Sequence, residues 1–125
     1  MSSSLKELRL NDNNQIGDEA GLQLAEGLLN SSSIKVCHLS DVKLSGQSAA
    51  KMCEVLRKRN STLKDLDISS NLIIMDDIEM LANAFKESHL ECLNIRNNIV
   101  SAEEIVAFEH LLVPVSTMTK RKFIF

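Results

Sequence analysis

The chain has 125 residues, 44% of them apolar, and a formal net charge of −3. That is one ordinary domain or one short array, with enough apolar material for a core and no bulk electrostatic pull toward nucleic acid or anionic lipid. No stretch approaches the roughly 20 apolar residues of a membrane helix, and "MSSSLKELRL" lacks the basic and apolar regions of a secretory signal.

The first element is "LKELRLNDN", from Leu5 to Asn13. It returns as "IKVCHLSDV" (Ile34 to Val42), "LKDLDISSN" (Leu63 to Asn71) and "LECLNIRNN" (Leu90 to Asn98). The starts at residues 5, 34, 63 and 90 are 29, 29 and 27 residues apart. A period of this size marks a solenoid, in which each unit touches only its neighbours. The units run over residues 5–33, 34–62, 63–89 and 90–112, and residues 113–125 follow, all within one domain.

Each phrase is apolar, or cysteine, at places one, four and six. The alternation at places four and six predicts a short strand with one buried face. Its buried pairs are Leu8/Leu10, Cys37/Leu39, Leu66/Ile68 and Leu93/Ile95, so places three, five and seven point the other way.

The second half of each unit has helical spacing at i, i+3, i+4 and i+7. The inward sets are Gly21, Leu24, Ala25, Leu28; Ala49, Met52, Cys53, Leu56; Ile78, Leu81, Ala82, Phe85; and Ile105, Phe108, Glu109, Leu112. Asp76-x-x-Glu79 and Ser101-x-x-Glu104 read as capping boxes, "NSSS" and "RNST" as loops back to the next strand, and Pro114 as a helix stop. The predicted class is α/β: a curved parallel sheet inside and helices outside, in about four repeats.

These residues resemble the leucine-rich repeat, in its ribonuclease-inhibitor-like subtype. The pattern L-x-x-L-x-L-x-x-N-x-L is met by Leu63, Leu66, Ile68, Asn71 and Ile73, and again by Leu90, Leu93, Ile95, Asn98 and Val100. "NQIGDEAGLQLAEGLL" resembles the helical half of that subtype. The resemblance implies that Asn13, Asn71 and Asn98 at place nine bond to backbone in the turn leaving each strand. Unit two has Val42 there, so its turn must be satisfied otherwise. The resemblance also implies a binding role of the kinds seen in the subtype: inhibiting an enzyme, activating a small GTPase, capping actin, or sensing in innate immunity.

Function is expected on the outward strand places. Place three reads Glu7, Val36, Asp65, Cys92; place five reads Arg9, His38, Asp67, Asn94; place seven reads Asn11, Ser40, Ser69, Arg96. Glu7, Arg9, Val36, His38, Asp65, Asp67, Cys92, Asn94 and Arg96 form the predicted partner-binding surface. His38 stands in its row between Arg9 and Asp67, with Cys92 two strands away, about 10 Å and too far for direct activation. The chain is therefore read as no enzyme. Asp65 and Asp67 share one strand without further ligands at metal spacing, and no glycine-rich phosphate loop is present, so neither metal nor cofactor is expected.

The three cysteines, Cys37, Cys53 and Cys92, suit neither zinc nor a disulfide framework and read as reduced thiols in a cytoplasmic protein. The partner is another protein, not nucleic acid or membrane. The alternative is an assembly role, since "SSSL" looks like the loop before a further repeat: a fragment of a longer array, or a chain that self-associates through uncapped ends. Lys6, Lys35 and Lys64 recur at place two and read first as a solvated flank of the sheet. Phe123 and Phe125 fall thirty residues after Leu93 and Ile95 and predict a degenerate fifth strand, with Lys120, Arg121 and Lys122 in its solvated approach.

Overall fold

In a computed structural model the repeats stack side by side, each adding one strand to a single parallel sheet; residues 5–59, 61–107 and 121–124 are described. The strands are three residues each: β1 (Glu7–Arg9), β2 (Val36–His38), β3 (Asp65–Asp67) and β4 (Cys92–Asn94). They pair in chain order, with Leu8, Cys37, Leu66 and Leu93 aligned in one row. Between them run α1 (Gly17–Leu29), α2 (Gly46–Arg57) and α3 (Met75–Lys86), and residues 102–107 are helical after β4. A fifth strand, β5 (Lys122–Ile124), pairs with β4 and sets Phe123 beside Leu93, the register that the thirty-residue offset predicts. Phe125 lies outside the described residues, as do Phe108, Glu109, Leu112, Pro114 and Lys120.

The core lies between sheet and helices. Cys37, Leu39, Leu66, Ile68, Leu93 and Ile95 from the strands meet Ala25, Leu28, Met52, Leu56, Leu81 and Phe85 from the helices, all buried. Leu8, Leu10 and Leu24, expected in the same layer, are only half-buried. They belong to the first repeat, which among the described residues packs against a neighbour on one side.

Four turns leave the strands in the same way. Place eight of every unit has positive φ: Asp12 (64°), Asp41 (57°), Ser70 (57°) and Asn97 (58°). Short polar residues tolerate this left-handed conformation better than most. The place-nine asparagine then bonds to backbone, as the resemblance implies. Asn71 is buried; its amide hydrogens are shared among the carbonyls of Leu39 and Ile68 (each 2.9 Å) and Ser69 (3.0 Å). Its Oδ1 accepts from Val42 N at 3.1 Å and Leu44 N at 3.0 Å, in the preceding turn. With a valine at place nine of unit two, the Leu39 carbonyl takes its donor from Asn71 of the next repeat instead. Asn98 Oδ1 likewise accepts from Ile73 N at 3.1 Å.

Helix starts depart from the sequence reading in one case. Ser101 and Glu104 form the reciprocal box, with Ser101 N donating to Glu104 Oε1 (3.0 Å) and Glu104 N to Ser101 Oγ (3.1 Å). Asp76 instead lies inside α3, and Asp77 accepts from Ile74 N at 3.4 Å. The start of α2 is capped from outside its own repeat. Asp18 on α1 accepts from Ser45 N (2.8 Å), Ser45 Oγ and Ser48 Oγ (2.6 Å). Burial opposes ionisation of Asp18, yet these hydrogen bonds outweigh it and hold the carboxyl below its ordinary 3.8. The close approach needs Gly21, where a Cβ would stand 2.5 Å from Ser48 Oγ and 2.6 Å from Leu44 Cδ2.

Candidate functional site: the outward face of the sheet

The strands place the candidate residues in ordered rows. Glu7, Val36, Asp65 and Cys92 align across the sheet and continue to Lys122; Arg9, His38, Asp67 and Asn94 align and continue to Ile124. Glu7, Arg9 and Arg96 are exposed, and the other six candidates are half-buried. Alternation about the pleat puts all of them opposite the buried leucine row.

Side chains link these rows diagonally. Arg9 donates from Nε to Glu7 Oε2 at 3.4 Å and from Nη1 to His38 Nδ1 at 2.7 Å. A guanidinium can only donate, so Nδ1 accepts and the ring proton sits on Nε2. Nε2 donates to Asp65 Oδ2 at 3.1 Å. The sequence order set His38 between Arg9 and Asp67; its acidic partner is Asp65, one pleat away. Asp67 instead accepts from Ser69 N at 2.9 Å and from Asn94 Nδ2 at 3.4 Å. The string Glu7–Arg9–His38–Asp65 thus crosses three strands, and Asp67–Asn94 ties the third to the fourth.

Both nitrogens of His38 are engaged. Burial, then the neighbouring Asp65, raises the Cys92 thiol above its ordinary value, with Lys122 offsetting part of the effect. A thiol held protonated is a poor nucleophile. Among the described residues no three His, Cys, Asp or Glu side chains converge on a metal-sized site, and no helix is long and apolar enough to cross a membrane.

Two features escaped the sequence reading. Arg121, expected in solvent, folds over Phe85 with its guanidinium carbon 4.0 Å from the ring centroid. It also donates to the carbonyls of Leu90 (2.8 Å) and Phe85 and to Ser88 Oγ (3.1 Å). In addition, a notch of about 270 Å³ lies between α3 and the last helical turn, with Met75, Ile78, Ile95, Val100 and Ile105 on its apolar side and Arg96, Asn97 and Asn98 on its polar side.

Known proteins agree with this architecture. The family model described as Leucine Rich repeat matches residues 2–25 and 59–77. The tropomodulin C-terminal domain of Caenorhabditis elegans superposes with a TM-score of 0.80 at 16% identity, covering 99% of this chain and 75% of that one. The structure titled Leiomodin-1 Actin-Binding Site 2 superposes with a TM-score of 0.74 at 18% identity, covering 95% of this chain and 69% of that one. No curated protein matches. The repeated phrase, the parallel ladder, the asparagine turns and the matched segments together give the chain the leucine-rich-repeat fold, an α/β solenoid.

Proposed function

We propose that the chain is a non-enzymatic protein-binding module, a single domain that docks its partner on the outward strand face. The surface comprises Glu7, Arg9, Val36, His38, Asp65, Asp67, Cys92, Asn94 and Arg96. The observation that carries this is the string Glu7–Arg9–His38–Asp65. It fixes donors and acceptors on a rigid sheet before any partner arrives, which lowers the entropy lost on binding. The period and the full-length helices favour the ribonuclease-inhibitor-like subtype. Cys37, Cys53 and Cys92 are all free, which fits a reducing, cytoplasmic setting.

Actin is the first partner to test, because one structural neighbour is titled as an actin-binding site. Calorimetry with monomeric actin, using the wild type and a His38→Ala/Asp67→Ala variant, is the direct experiment. Binding that weakens in the variant, with an unchanged melting curve, supports the reading. Binding that maps wholly to helix residues in an alanine scan overturns the strand face as the site. Failure of actin to bind removes actin and leaves the face to be tested against other proteins.

A further inference from the structure

Lys6, Lys35 and Lys64 sit one residue before β1, β2 and β3. Their backbones are locked in one geometry. The Lys6 carbonyl accepts from Lys35 N (2.7 Å) and Val36 N (3.2 Å), and the Lys35 carbonyl from Lys64 N (2.8 Å) and Asp65 N (3.0 Å). The Lys64 carbonyl accepts from Glu91 N (2.9 Å) and Cys92 N (3.0 Å), continuing the line. Any non-proline residue satisfies these bonds, so the fold does not require lysine. Among the described residues none of the three ammonium groups has an ion-pair or hydrogen-bond partner, whereas Arg9, Lys51 and Arg57 each hold a carboxylate.

Protection of a sheet edge does not account for them. Lysines guard exposed edge strands, but β2 and β3 are internal, paired on both sides. Only Lys6 precedes an edge strand. The three lysine backbones stand at strand spacing, about 4.8 Å, which gathers like charges on one side of a chain whose net charge is −3. Glu91 ends the stripe at the fourth strand, so it is three charges wide.

We infer that this stripe docks an acidic helix of a partner protein, whose carboxylates recur at i and i+4 along one face. Helical neighbours at that spacing lie about 5–6 Å apart, close to the lysine interval. Alternate side chains of an extended strand lie about 6.6–6.8 Å apart and fall out of step. The stripe adjoins Glu7, Val36 and Asp65 of the outward face, but the inference rests on the three lysines and stands or falls without the proposed function.

The test uses a labelled alanine-based helical peptide with glutamates on one face, titrated by anisotropy against the full chain at low salt. The inference expects binding that the triple variant Lys6→Gln/Lys35→Gln/Lys64→Gln weakens about tenfold, the strength of three exposed pairs. His38→Ala/Asp67→Ala should leave it unchanged. Glu91→Lys, which lengthens the stripe, should tighten it about threefold, a gain that a misfolded variant cannot mimic. Three results overturn the inference: no binding to the wild type, equal binding of a peptide with its glutamates scattered around the helix, or stronger lysine-dependent binding to phosphatidylserine vesicles than to the peptide.

Discussion

A leucine in this chain has a value set by which repeat holds it. Leu66 is fully buried with strands on both sides, while Leu8 occupies the same place in the first repeat and is half-buried. Leu66→Ala should cost about 2–5 kcal/mol, and Leu8→Ala less than about 2 kcal/mol, measured by urea unfolding. Equal costs would mean that the first repeat is covered in solution. The cysteines offer a second residue-scale check. Burial pushes the Cys37 thiol up to about 12 and raises Cys53 as well, while Cys92 is the one of the three not fully buried. A thiol reagent should modify Cys92 first and Cys37 only on unfolding; uniform rates would contradict the packing. Residue identities made the leucine row legible in advance, because burial follows from period two alone. The His38–Asp65 bond was not legible, since strand register sets His38 beside Asp67 and only the side-chain rotamers turn the ring toward Asp65.

At the scale of elements, the helices depend on their neighbours. Asp18 lies 27 residues before the serine it caps, beyond the reach of any local motif, which is why the start of α2 could not be read from its own sequence. Its carboxyl is held below the ordinary value. A depressed folded value means stabilisation that is fully present above about pH 4 and fades as pH falls through the folded value. Asp18→Asn should therefore lower stability at neutral pH, and the gap to the wild type should close in acid, as followed by thermal melts across pH. A constant gap would show that the charge is not involved. The fifth strand is the other dependent element. Phe123 meets Phe85 edge-on at 5.5 Å, and Arg121 covers the same ring. Phe123→Ala should cost about 1–3 kcal/mol and increase dye binding. An unchanged melt would detach β5 from the core. The strand itself was legible from the repeat spacing; the role of Arg121 was not, because a basic residue beside two lysines reads as solvated until the ring beneath it is known.

For the whole molecule, stability is a sum of repeats and the contacts between neighbours. The second and third repeats are flanked on both sides, and they carry most of the fully buried residues. Amide exchange should be slowest in β2, β3 and the helices behind them, and faster in α1. Uniform protection from α1 to α3 would indicate a single cooperative unit instead. The same modular construction lets the outward residues differ from repeat to repeat while the inward ones stay alike. It makes the architecture readable from four short phrases, yet leaves the partner to side chains that no periodicity constrains.

Asn71 and Asn98 reach backward into the preceding turn, and this gives the array a direction in time. Val42 N and Leu44 N find their acceptor on Asn71, and Ile73 N finds its own on Asn98. A ribosome delivers the chain in the opposite sense, earlier repeats first. A nascent chain ending before Asn71 holds two turn amides with no acceptor, and an unmade buried bond costs about 1–3 kcal/mol. The turns of the second and third repeats are therefore finished only when the next repeat has emerged, so their closure trails synthesis by one repeat.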